Sequence, residues 1–206
     1  LTMAGVECEI SDSINQDILN LSLTPNRADC FSVRGICREL SVLNNLTVEA
    51  NNYDNLTIHH QDEIKIEIES PDDCPVFASR IINNIDINRE TPDWMVKRLE
   101  NSGIKSNNII VDITNYVMLE TGQPLHAYDF NKIDSKIKVR RGYKNEKITL
   151  LDETVKKVNS DYLLITDESK VLGIAGIMGS QCSGISLDTK NIILESAHFN
   201  PTTIMG

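Results

Sequence analysis

No apolar run is long enough to cross a membrane. The longest, such as Ile109-Ile110-Val111, are only a few residues, so a transmembrane helix is excluded and no membrane partner is expected. No secretory leader is recognisable. The five cysteines (Cys8, Cys30, Cys37, Cys74 and Cys182) are odd in number and scattered. No C-x-x-C pair points to zinc, so no metal is expected, and reduced buried thiols in a cytoplasmic protein fit best. Basic charge is in deficit: 20 Lys and Arg stand against 30 Asp and Glu, a net charge of −10. A domain that neutralises many phosphates needs a basic field. Any contact with RNA is therefore expected to be confined, as at a strand end. There is no internal repeat. The chain opens on Leu1-Thr2-Met3 and closes on Thr203-Ile204-Met205-Gly206, and it is expected to be a piece of a longer protein.

What remains is ordinary globular composition, 40% hydrophobic and 24% charged, which rules out wholesale disorder. Residues 22–44 read as a turn at Thr24-Pro25-Asn26 followed by a helix capped by Asp29. Cys30, Val33, Ile36, Cys37, Leu40 and Leu43 recur along it at helical spacing and need a partner surface. The polar stretch from Asn44-Asn45 to Asn51–Asn55 reads as a boundary. Beyond it Ile64, Ile66 and Ile68 alternate with Lys65 and Glu67, a half-buried strand. A second strand is predicted over 76–82. Thr91-Pro92-Asp93 opens a helix that stops near Gly103, with Thr91 as its cap. Ile109–Ile113 reads as a strand leading into a short helix at Thr114-Asn115-Tyr116. Short strands are predicted over 137–140, 147–151, 154–158, 162–166, 171–174 and 191–195. The fold class is α+β, an antiparallel sheet or barrel with few helices. Its domains are 1–45, the end of a small helical domain; 46–60, a linker; and 61–206, the main module.

Three places could carry chemistry. Gly122-Gln123-Pro124-Leu125-His126 fixes a turn and sets a loop histidine just after it, suited to an ester or its attacking water. From spacing alone, a buried histidine satisfied by backbone is the favoured alternative. Glu195 ends the run Asn191–Leu194, on the face shared by Ile193 and Ala197. A carboxyl on an apolar face needs a donor; a salt bridge with Arg80 or Arg140, or exposure at the strand end, are the structural alternatives. Gly173, Gly176 and Gly179 bring backbone close to something, as a pocket wall or as tight turns. Thr114 and Asn115 offer a hydroxyl and an amide, which capping would also explain. Asp72-Asp73 and Asp167-Glu168 read as solvated turns rather than metal ligands.

Taken together, several strings resemble one family. Leu23-Thr24-Pro25-Asn26-Arg27-Ala28-Asp29-Cys30 and Arg38-Glu39-Leu40 are among them. So are Val111–Glu120, Gly122–Asp129, Gly176-Ile177-Met178-Gly179 and Leu194-Glu195-Ser196-Ala197 before Phe199-Asn200-Pro201. In this order they are similar to bacterial phenylalanyl-tRNA synthetase beta subunits, from about residue 20 to the end. The resemblance implies the end of the first, helical domain and then the joined third and fourth domains. That joined pair is an editing module which hydrolyses tyrosine wrongly esterified to the phenylalanine tRNA. Carried over, the editing-site asparagine falls on Asn115 and the histidine on His126. A pocket glycine falls on Gly176, and the glutamate that reads tyrosine on Glu195. A basic residue often seen as Arg falls on Lys105, and lysine cannot reproduce a forked guanidinium.

The resemblance further implies an alpha subunit in a two-alpha, two-beta tetramer and the tRNA 3′ end as partners. ATP and magnesium are implied for the whole enzyme and no cofactor for this segment. A further pocket motif would lie beyond Gly206, so the isolated chain is expected to edit poorly. The rival reading is a non-catalytic module that scaffolds the alpha subunit or guides tRNA.

Overall fold

The computed structural model describes residues 1–2, 5–10, 18–49 and 56–205; the stretch 51–55 expected as a boundary lies outside the described residues. The architecture is mixed α+β, strand-rich with few helices. Packing divides the chain into two compact units, one of Leu1–His59, Thr91–Asn107 and Val111–Pro124, the other of His60–Glu90, Asn108–Ile110 and Leu125–Gly206. Most of 91–124 is thus counted with the N-terminal residues rather than within 61–206.

In the first unit, β1 (Glu7–Ile10) and β2 (Leu19–Ser22) pair antiparallel. A 3-10 turn over Pro25–Cys30 precedes α1 (Val33–Asn44). The cap of α1 is Ser32, whose hydroxyl accepts from the Gly35 N–H at 3.0 Å, and not Asp29. Asp29 instead meets Arg27 in the turn; the same guanidinium reaches Glu39 at 2.8 Å. The Asp29, Cys30 and Glu39 ligand atoms lie within 4.8 Å of one another, and the Arg27 guanidinium bonds all three side chains. Cys30 is buried, while Val33, Leu40 and Leu43 of the apolar stripe are exposed.

The helix α2 covers Asp93–Asn101, and α3 covers Ile109–Thr121. The strand expected over 109–113 is therefore the first turn of a helix. The cause is Asp112, fully buried. Its Oδ2 accepts from the hydroxyls of Thr91 and Ser106, both at 2.6 Å, and its Oδ1 from the Asn107 N–H at 2.9 Å. An acid in the first turn favours helix over strand, and here it also fastens the preceding loop. Thr91 spends its hydroxyl on Asp112 and makes no cap for α2.

The second unit holds the sheets. The five-stranded sheet runs β11-β10-β9-β6-β3: Met178–Gly179, Val171–Ile174, Leu163–Thr166, Lys136–Arg141 and Lys65–Ile68. The β3–β6 pair is parallel, unlike the antiparallel pairing expected. A three-stranded sheet has β12 (Ile192–His198) between β4 (Val76–Ile82) and β5 (His126–Asp129). β7 (Glu146–Thr149) and β8 (Val155–Val158) form a hairpin, and α4 (Pro201–Ile204) follows β12. Ile81, Tyr128 and Ile193 of the three-stranded sheet share one core with Ile137, Val139, Leu163, Ile165 and Leu172 of the five-stranded sheet. Ile64, Ile66 and Ile68 pack against that core half-buried, as their alternation predicts.

Two acids expected at solvated turns are structural instead. Asp73 pairs with Arg141 and accepts from Thr203 at 2.7 Å, fastening α4. Asp167 is buried and accepts from the N–H groups of Asp134, Ser169 and Lys170. Among the cysteines, Cys30 and Cys74 are buried as expected, whereas Cys182 is exposed; all five are free thiols. No helix among the described residues is long and apolar enough to cross a membrane.

Candidate functional site

Gly122, at φ +82, ends α3, and Pro124 forces an extended exit. His126 is consequently not in a loop: it opens β5. Antiparallel register then sets His126 directly opposite Glu195 of β12 and Tyr128 opposite Ile193. Directly paired residues, and residues two apart on one strand, share a face. His126, Tyr128 and Glu195 thus meet on the side of the sheet that carries the core.

The Tyr128 hydroxyl donates to Glu195 Oε2. Neither Arg80 nor Arg140 is the partner: Arg80 is exposed, and Arg140 pairs with Glu146 at 2.7 Å. Glu195 is 8% exposed and Tyr128 2%. Burial pushes the Glu195 carboxyl up to about 7, with the Tyr128 bond pulling the other way. Burial, the Glu195 charge and that hydrogen bond hold the Tyr128 phenol far above the usual range.

His126 stands edge-to-face on Tyr128, ring centroids 4.4 Å apart. Burial pushes its imidazole down to about 4, so the ring is neutral at physiological pH. Its buried Nε2 has no hydrogen-bond partner among the described residues. A neutral imidazole with a free nitrogen can hold water or take a proton.

Gly176 sits at φ +67 in the turn between β10 and β11, and a Cβ there would meet Phe199 at 3.3 Å and Ile204 at 3.4 Å. Gly179 is the glycine that lies against His126. A Cβ on it would fall 2.6 Å from Cε1 and 2.7 Å from Nε2 of the imidazole, contacts that real structures do not tolerate. Gly179→Ala is therefore expected to displace the ring from Tyr128. The His126 imidazole proton resonances in NMR would report it: an unchanged ring environment would show that the strand gives way instead.

The structure thus brings His126 and Glu195 together. Asn115 belongs to the other compact unit, half-buried in α3, and Lys105 is an exposed residue of the segment between α2 and α3 in that unit. Tyr128 and Gly179 were not singled out as site residues from sequence. Alternation from His126 could have pointed to Tyr128, since residues two apart share a strand face; no local pattern tells Gly179 from Gly176.

The profile of the B3/4 domain family matches residues 73–206. The phenylalanine–tRNA ligase beta subunit of Vibrio cholerae is 45% identical over 194 residues, covering 94% of this chain and 24% of the relative. That of Aliivibrio fischeri is 44% identical over 205 residues, covering 100% and 26%. That of Acinetobacter baylyi is 44% identical over 195 residues, covering 94% and 24%. The chain spans about a quarter of the length of these curated relatives. Among solved structures, an N-terminal fragment of the phenylalanyl-tRNA synthetase beta subunit of Pyrococcus horikoshii superposes with a TM-score of 0.52 at 17% identity, over 96% of this chain and 61% of that one. At that identity it speaks for the fold alone.

Proposed function

The chain belongs to the B3/4 domain family, and from that membership we propose that it carries the editing site of a phenylalanine–tRNA ligase beta subunit, hydrolysing tyrosine misattached to the phenylalanine tRNA. One observation carries the reading: a buried carboxyl, Glu195, that accepts a phenol hydroxyl on an apolar face. Tyrosine exceeds phenylalanine by that hydroxyl. A pocket built to accept phenylalanine rejects such an isostere weakly, whereas a site with a buried acceptor rejects the ligand that lacks the hydroxyl. Phenylalanine would leave a dehydrated acceptor without a donor.

In this reading His126, neutral and with a free Nε2, positions the attacking water. Gly176 lies in the pocket wall. An aminoacyl ester is labile, so positioning and oxyanion stabilisation suffice. Only the 3′-terminal adenosine needs to enter, which suits an acidic chain. Two alpha and two beta subunits, with ATP and magnesium for amino-acid activation, complete the proposed cytoplasmic enzyme; neither ATP nor magnesium is assigned to residues of this chain.

The test is deacylation of Tyr-tRNA and Phe-tRNA by the full subunit pair. Glu195→Ala should slow Tyr-tRNA clearance by about 30- to 150-fold, the weight of one charge-assisted hydrogen bond in a dry pocket, while phenylalanine activation stays unchanged. His126→Ala should slow hydrolysis without admitting Phe-tRNA. If Glu195→Ala clears tyrosine at the wild-type rate, the carboxyl is a fold contact and the scaffold reading takes over.

A further inference from the structure

Tyr128 links the two residues on which the proposed chemistry rests. Its ring is packed edge-to-face on His126, and its hydroxyl is bound to Glu195 Oε2. It lies beside Ile193 in the core shared with the five-stranded sheet, 2% exposed. A side chain so enclosed does not swing away to admit a ligand. Its bond occupies Oε2, and among the described residues no hydrogen bond reaches Oε1. A carboxyl tied through one oxygen cannot spin about its terminal torsion, which is otherwise soft. The remaining oxygen therefore faces a set direction.

We propose that Tyr128 is the positioning residue of this site: its phenol fixes the Glu195 carboxyl so that Oε1 alone receives the hydroxyl of an incoming tyrosyl group, and its ring backs the His126 imidazole edge-to-face. The inference rests on the reading of the site as tyrosine-specific. It predicts a substrate subsite in which two phenols share one carboxyl, one from the protein and one from the ligand.

The electrostatics agree. The titratable groups facing Glu195 are Tyr128 and His126 on β5 and Cys74 in the segment before β4. The Cys74 thiol is pushed up to about 11 by burial, with the Glu195 charge adding to it. Tyr128 is held higher than a free phenol, and His126 is pushed down to about 4. No cation pairs with the carboxyl among the described residues. Near neutrality, then, the charge on this face changes at Glu195, and the Tyr128 hydrogen bond is what favours its ionised form.

Tyr128→Phe keeps the ring and deletes the hydroxyl. In the full subunit pair, the preference for Tyr-tRNA over Phe-tRNA at neutral pH should fall roughly tenfold, the weight of one buried hydrogen bond. It should recover partly as pH rises and the untied carboxyl ionises. In this chain alone, carboxyl-labelled NMR should show Glu195 titrating at higher pH in the variant than in the wild type. Three results overturn the proposal. These are Glu195 titrating at one pH in both proteins; clearance of both substrates falling equally at every pH, as a mere packing defect would give; or Tyr-tRNA binding more tightly to the variant, which would make Tyr128 a competitor of the substrate. The outcome is separable from the reading beneath it. Wild-type clearance of Tyr-tRNA by Glu195→Ala sinks the editing assignment, whereas impaired clearance by Glu195→Ala beside an unchanged preference in Tyr128→Phe sinks only the role of Tyr128.

Discussion

As pH rises from about 4 to about 8, Glu195→Gln should gain about 3 kcal/mol of stability over the wild-type chain, from almost nothing at the acid end. The Glu195 carboxyl is held near 7 in the fold against an ordinary 4.5, and each unit of that displacement is worth about 1.4 kcal/mol. Between those values the folded wild type binds more protons than the unfolded chain. Its stability therefore falls as pH rises from the unfolded value through the folded one. Glutamine keeps the shape and an acceptor for the Tyr128 hydroxyl, and it never ionises. His126 works in the opposite sense. Held down at about 4 against 6.5, it loses stability as pH falls through that window, but equally in both proteins, so it cancels in the difference. Urea unfolding followed by circular dichroism at a series of pH values gives the result directly. Parallel curves for the two proteins would mean that Glu195 is ionised without cost and is not buried as described. The same displacement matters for the proposed chemistry, because a carboxyl poised near neutrality can take or release a proton at little cost.

Asp112→Ala should cost on the order of 3 kcal/mol, because it strands the Thr91 and Ser106 hydroxyls and the Asn107 N–H that now converge on one buried carboxyl. Asp112→Asn should recover about half. Its amide oxygen can replace one carboxyl oxygen, but its NH2 cannot accept where the other did. The single tryptophan, Trp94, lies in the same compact unit as Asp112, so its emission reports the loss where it occurs. A thermal midpoint by Trp94 fluorescence that is unmoved in Asp112→Ala would show that the loop from Ser106 to Asn108 is held by other contacts.

Local pattern by itself determined much of this protein. Alternation over Ile64, Ile66 and Ile68, and short strand-like runs over 76–82, 137–140 and 171–174, marked strands that the structure contains. A carboxyl among apolar neighbours at position 195 had to be buried or at an edge, and if buried it had to have a donor. The ordered strings from Leu23 to Pro201 pointed to the family. Tertiary structure decided the rest, because those outcomes depend on residues distant in the chain. Ile109-Ile110-Val111 suits a strand or a helix equally, and donors from Thr91 and the loop before α3 tipped it to helix. The donor to Glu195 came from a tyrosine 67 residues away, chosen by strand register rather than by charge, so neither arginine was needed. Gly179 and Gly176 are interchangeable on paper. Only the fold of β10 onto β11 sets one against His126 and turns the other toward Phe199, because what a missing Cβ leaves room for is fixed by the chain that packs across from it.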